Sequence, residues 1–222
     1  MKQYSEYDVK CPACGHEYRQ SLPAWINVSE HPEQKESVLD GSLFTMRCPA
    51  CGCEYGLVYP LLYHDSGRQL MIQLIDGTDE NPFEKALDQL AEEDEIREHA
   101  ARRTYTMRAV HLPNDLTEKI LIFEENLDDR AVELMKPALM ADLMLGDQSM
   151  HVVGLYFSPD EAGNAFVVET EDGFVGQIPF DQAMYQRAET EVMPRLDQNM
   201  LKESVIDHDW ALRILKTDKQ VS

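Results

Sequence analysis

An eight-residue string occurs twice with one substitution. Residues 11–18 read Cys-Pro-Ala-Cys-Gly-His-Glu-Tyr, and residues 48–55 read Cys-Pro-Ala-Cys-Gly-Cys-Glu-Tyr. A cation stands before each copy, Lys10 and Arg47. The chain therefore carries two Cys-x-x-Cys pairs, each closed by a glycine, with 33 residues between Cys14 and Cys48. Four thiolates presented by two tight turns satisfy tetrahedral zinc, each sulfur about 2.3 Å from the ion. The proline after the first cysteine suits such a turn. The glycine after the second tolerates the left-handed backbone that the turn demands. The predicted ligands are Cys11, Cys14, Cys48 and Cys51, holding one Zn2+. A zinc closed by four cysteines keeps no open position for water, so the site is expected to be structural and not catalytic.

Redox chemistry is the rival, since Cys-Pro-Ala-Cys also resembles a glutaredoxin-type string. A redox pair sits at a helix N-terminus, which lowers the pKa of its nucleophile. Here each pair leads into Glu-Tyr and an extended segment, and the pair is present twice, which favours metal. Cys53 holds in the second copy the position of His16 in the first. Both residue types bind metal, so a ligand-swapped site is one reading. The other is that this position follows the turn and points outward. Tyr63-His64-Asp65 is either a histidine oriented by a carboxylate or a turn histidine. Glu124, Glu125, Asp128 and Asp129 either hold a hard cation or are solvated helix ends with an N-cap. The chain has no Gly-x-Ser-x-Gly, no His-Glu-x-x-His and no phosphate-cradling glycine loop.

The elements that must position the cysteines read as a β-rich unit over residues 1–75. Glu17–Ser21 and Leu43–Arg47 run out of and into the two turns. Glu54–Leu62 and Gln69–Ile75 read as a hairpin around His64-Asp65-Ser66-Gly67. Between the cysteine pairs, Ser29 suits an N-cap, Pro32 a first helical turn and Gly41 a helix stop, so a short inserted helix is predicted. Residues 76–103 read as an acidic linker and helix. From Asp76 to Glu98 there are ten acidic and two basic residues. A solvated helix face explains them, and a partner-binding acidic arm is the alternative. Residues 104–222 read as a separate α+β part. It begins with a strand at Tyr105–Leu112 and a helix opened by Pro113. A second helix, capped by Asp128, turns Val132, Leu134, Met135, Leu139, Leu143 and Met144 inward. An antiparallel meander follows over His151–Phe157, Ala165–Glu169 and Phe174–Ile178, then a helix from Phe180 to about Met200. A last short helix capped at Asp207-His208-Asp209 packs Trp210 and Leu212. The expected class is α+β: an N-terminal zinc ribbon, an acidic connector, and a helical and antiparallel C-terminal part.

Composition bounds the function. The formal charge is −21, from 41 acidic and 20 basic side chains. Four thiolates against one dication add −2, giving about −23. Such a surface repels nucleic acid and anionic membrane, so neither is an expected partner. A basic protein partner fits it. No run reaches the roughly 18 apolar residues of a membrane helix. The N-terminal residues are polar and acidic, without a signal-peptide core, so a reducing cytoplasm is the expected compartment.

Beside both cysteine pairs stand Ile26-Asn27-Val28, Leu39-Asp40-Gly41-Ser42-Leu43-Phe44 and Tyr59-Pro60-Leu61-Leu62-Tyr63-His64-Asp65. Further on come Leu116-Thr117-Glu118-Lys119-Ile120 and Leu127-Asp128-Asp129-Arg130. With the paired Cys-Pro-x-Cys motifs, these residues resemble the CpXC family. The resemblance implies ligation by Cys11, Cys14, Cys48 and Cys51 and implies no activity. Two functions are expected from this reading. The first is a non-enzymatic adaptor or regulator with a structural zinc. The alternative is a hydrolase-type enzyme using His64 and the carboxylates of residues 124–129.

Overall fold

Tyr4–Lys10 (β1) and Glu17–Pro23 (β2) alternate exposed and half-buried residues, the pattern of a hairpin with one covered face. They pair antiparallel from Tyr4↔Pro23 to Lys10↔Glu17. The computed structural model describes residues 4–75 and 105–221. These form an α+β fold, with two compact units at Met1–Thr117 and Glu118–Ser222. The acidic segment expected over 76–103 lies outside the described residues.

In the first unit β2 runs on into Trp25–Asn27 (β3). Helix α1 (Pro32–Leu39) follows, with proline at its first position and Gly41 beyond its end in the left-handed region at φ +74°. Ser29 is not its cap. His31 holds that place without a side-chain bond, and Ser29 instead donates its backbone N–H to the Asn27 side chain. A second hairpin, Thr45–Arg47 (β4) and Glu54–Gly56 (β5), repeats the first in shorter form. The strand expected over Glu54–Leu62 is broken before Pro60, which has no N–H to continue a ladder. Leu61–Asp65 (β6) and Leu70–Leu74 (β7) make an antiparallel pair, so His64 lies within a strand and not in the turn. β3 joins β6 in parallel, and Thr106–Val110 (β8) joins β7 in parallel. The sheet order is β3-β6-β7-β8. The residue pattern groups β8 with the C-terminal part, because parallel pairing with a remote strand leaves no local turn signal. Leu61, Ile26, Ile72 and Leu74 are fully buried in this sheet, consistent with strands covered on both faces.

Helix α2 (Pro113–Glu124) spans the division between the units. In the second unit α3 (Asp129–Gly146) starts at Asp128, whose carboxylate accepts the Arg130 N–H at 2.9 Å, as expected of that cap. Met144 departs from expectation: it is exposed, as is Leu145, because the last turns of α3 run beyond their core contacts. Val152–Phe157 (β9), Ala165–Thr170 (β10) and Gly173–Pro179 (β11) form the predicted antiparallel sheet, with β10 central. The long helix expected from Phe180 is interrupted. Helix α4 (Gln182–Arg187) passes into a π-helical turn at Ala188–Val192 and a 3-10 turn at Met193–Arg195. Pro194 cannot donate to an i−4 carbonyl, which explains the stop. Helix α5 (His208–Val221) closes the unit. The Asp207 carboxylate accepts the Trp210 N–H at 2.8 Å, and Trp210, Phe157 and Phe166 fill the core.

Candidate metal centre

The duplicated strings fold into duplicated geometry. In the first, Cys11 N–H donates to the His16 carbonyl and Gly15 N–H to the Cys11 carbonyl, both at 2.9 Å. In the second, Cys48 N–H donates to the Cys53 carbonyl and Gly52 N–H to the Cys48 carbonyl, again at 2.9 Å. Gly15 and Gly52 share φ +73°, where a side chain would be strained, so the glycine in each copy is a requirement of the turn. Each turn is the tip of a hairpin. Lys10 faces Glu17 in one and Arg47 faces Glu54 in the other. Below them Tyr18 and Tyr55 meet hydroxyl to hydroxyl at 2.5 Å, joining the two copies at equivalent positions. Buried Tyr59 packs on Tyr7 of β1 and on Phe44 ahead of β4, each at 5.7 Å between ring centroids, which ties the hairpins' bases together.

The four sulfurs of Cys11, Cys14, Cys48 and Cys51 all lie within 4.8 Å of one another. Cys11 approaches Cys51, and Cys14 approaches Cys48, each at 3.7 Å. Four sulfurs at about 2.3 Å from a tetrahedral ion stand about 3.8 Å apart, while a disulfide needs about 2.05 Å. The arrangement therefore fits a metal ion and not a pair of disulfides. The backbone is set for thiolates. Amides of Ala13 and Cys14 face the Cys11 sulfur, those of Ala50 and Cys51 face Cys48, and those of His16 and Cys53 face Cys14 and Cys51. The Cys14 amide is the first cause that lowers the Cys11 thiol to about 7. The Cys53 amide also pulls on Cys51, but the neighbouring sulfurs, with burial, push that thiol up to about 12. Four crowded sulfurs cannot all ionise without a cation to share, and a coordinated dication reverses that cost. Among the described residues this is the only grouping of cysteine, histidine and carboxylate side chains that can hold a metal.

The other candidates fall elsewhere. Cys53 is outside the cluster and donates its thiol to the Glu54 carbonyl at 3.5 Å. His16 is exposed and stacks on Tyr18 at 5.9 Å. His64 is buried, with Nε2 3.0 Å from the Tyr105 hydroxyl, and burial lowers its pKa against the fields of Asp65 and Glu30. The carboxylates at 128 and 129 are taken by cations, not arranged for one. Asp128 pairs with Arg130 at 2.6 Å, and Asp129 with Lys119 at 3.2 Å.

Asp129 belongs to a cluster that the residue pattern did not reveal. Lys119 also meets Glu133 at 3.0 Å, and Lys136 meets Glu133 at 2.9 Å and Glu118 at 2.7 Å. The second Glu118 oxygen accepts the Phe157 N–H at 2.6 Å. All five charged residues are buried. Burial pushes the Glu118 carboxyl up, whereas the two ammonium groups overcome burial and hold Glu133 down. One signal was present: Lys119 sits three residues after Leu116 and three before Ile122, on the apolar stripe of α2.

Residues 9–136 match the family described as CpXC protein, more than half of the chain. The chain belongs to the CpXC family. The matched span includes the four cysteines and ends on Lys136, so it also takes in the five buried charges. No curated protein and no solved structure is matched.

Proposed function

We propose that this protein is a non-enzymatic adaptor or regulator of the cytoplasm, whose N-terminal unit is a zinc ribbon held by one structural Zn2+. The observation that supports it is the closure of the centre. Four sulfurs at tetrahedral spacing use every ligand position, so the metal has none left to activate water. Soft thiolate ligands in a tetrahedral set favour zinc over oxygen-seeking cations. His64 is buried against a tyrosine, and Asp128 and Asp129 are paired with cations, so the hydrolase-type reading gains no support. No described helix is long and apolar enough to cross a membrane. Affinity capture of the intact protein from native lysate, read by mass spectrometry, is expected to return a stoichiometric protein partner. Return of none at native abundance contradicts the adaptor reading.

Nucleic acid is not the expected partner. Affinity for phosphate comes mainly from lysine and arginine displacing counterions. On the first unit Lys10 is paired with Glu17 at 3.1 Å, Arg19 with Asp8 at 3.1 Å, and Arg68 lies 3.9 Å from Asp65. Each of these three cations stands beside an acid, which weakens its pull on phosphate. Anisotropy titrations with duplex and single-stranded DNA and RNA at about 0.15 M salt should show no saturable binding. Salt-sensitive saturation at low micromolar protein would put a nucleic-acid role first.

A further inference from the structure

The outer face of the β9–β11 sheet carries a group of side chains that the metal centre does not use. Gly154 lies opposite Glu169, and Glu169 lies opposite Phe174. Tyr156 is two residues along from Gly154 and so shares that face. The alternate residues Leu155, Phe157, Phe166 and Val168 are buried in the core. Two bulges bracket Glu169. Val153 is the extra residue on β9 and Val175 the extra residue on β11, and they are 53% and 54% exposed. Bulges are frequent on edge strands, where both of these lie, and they re-aim the side chains around them.

Gly154 is the floor of the group. A Cβ there would lie 3.0 Å from Tyr156 Cε2 and 3.2 Å from Glu169 Oε2. A side chain there would push the Tyr156 ring and the Glu169 carboxylate aside, so the glycine lets both lie close over the strand. The Phe174 ring stands at 76° to the Tyr156 ring, with centroids 6.1 Å apart, and Phe174 is 59% exposed. Glu169 has no hydrogen bond or ion pair among the described residues. Two near-perpendicular aromatic rings beside an unpaired carboxylate are the chemistry of cation recognition. Ring faces attract a cation within about 6 Å, and a carboxylate forms charge-assisted bonds to it. The surroundings have the matching sign. From His151 to Gln186 there are six acidic residues and neither lysine nor arginine.

We propose that this face binds an arginine or lysine side chain from a basic segment of a partner protein. The side chain lies across Tyr156 and Phe174, with its cation on Glu169. The partner's existence rests on the adaptor reading, whereas the recognition chemistry rests on the sheet alone. The test uses the full chain and a labelled octapeptide alternating valine and arginine, with a control carrying glutamine at each arginine. Saturable binding of the arginine peptide only is expected. Phe174→Ala and Glu169→Gln should each weaken it about tenfold. Glu161→Gln removes the same charge from the turn at the other end of the sheet and should change it less than about twofold. Absence of binding, or equal losses in all three variants, overturns the proposal in favour of no site or of diffuse attraction to acid. The titration needs no native partner. Peptide binding with the expected variant pattern therefore supports the site even if affinity capture returns nothing, and a failed titration removes the site while a captured partner keeps the adaptor reading.

Discussion

Cys14→Ser is expected to reduce bound zinc from one ion per chain to a small fraction, and to strip hydrogen-exchange protection from both hairpins. The reason lies in how little else holds them. The buried residues of the β1–β2 hairpin's strands are Val9, Leu22 and Pro23, and those of β4–β5 come to Met46 alone. A two-stranded hairpin is marginal by itself in water. Structural zinc contributes roughly 10–16 kcal/mol of apparent binding free energy in small zinc units, more than so few buried side chains supply. The sheet β3-β6-β7-β8 has its own buried apolar residues and should keep its protection. Elemental analysis and hydrogen exchange by mass spectrometry check both halves of the expectation. Zinc-free wild-type protein purified without chelator would remove the zinc assignment. Unchanged protection of the hairpins in a metal-free variant would show that the metal is not structural.

The second large effect is expected at Lys136. Lys136→Met leaves Glu118 without the ammonium on one oxygen and removes one of the two cations on Glu133, all inside the second unit. Breaking a buried ion pair from one side costs about 3–5 kcal/mol, because the remaining charge stays desolvated. At a urea slope of about 2 kcal/mol/M the unfolding midpoint should fall by about 2 M. Adding Glu118→Gln to Lys136→Met should recover a large part of the loss, since the uncompensated charge is then gone. The Phe157 N–H would still have an oxygen to meet. A loss within about 0.5 kcal/mol for the single variant, as at ordinary surface positions, would show that the cluster is hydrated in solution.

The features readable from the residues alone are local. The cysteine turns were legible because proline, glycine and two sulfurs act within five residues, and because the string is repeated. The Asp128 cap, the Asp207 cap and the β9–β11 meander were legible for the same reason: each is set by hydrogen bonds to near neighbours in the chain. Tertiary structure decided what depends on partners far along the chain. It made β8 a strand of the first unit's sheet through a parallel pairing that no turn announces. It moved His64 from a predicted turn into a buried strand beside Tyr105. It set the sulfurs of the two turns 3.7 Å apart, which spacing permits but does not impose. It also buried five charges between α2, α3 and β9. A lone lysine or glutamate reads as solvated, and only the opposite charge brought to it by folding makes its burial tolerable.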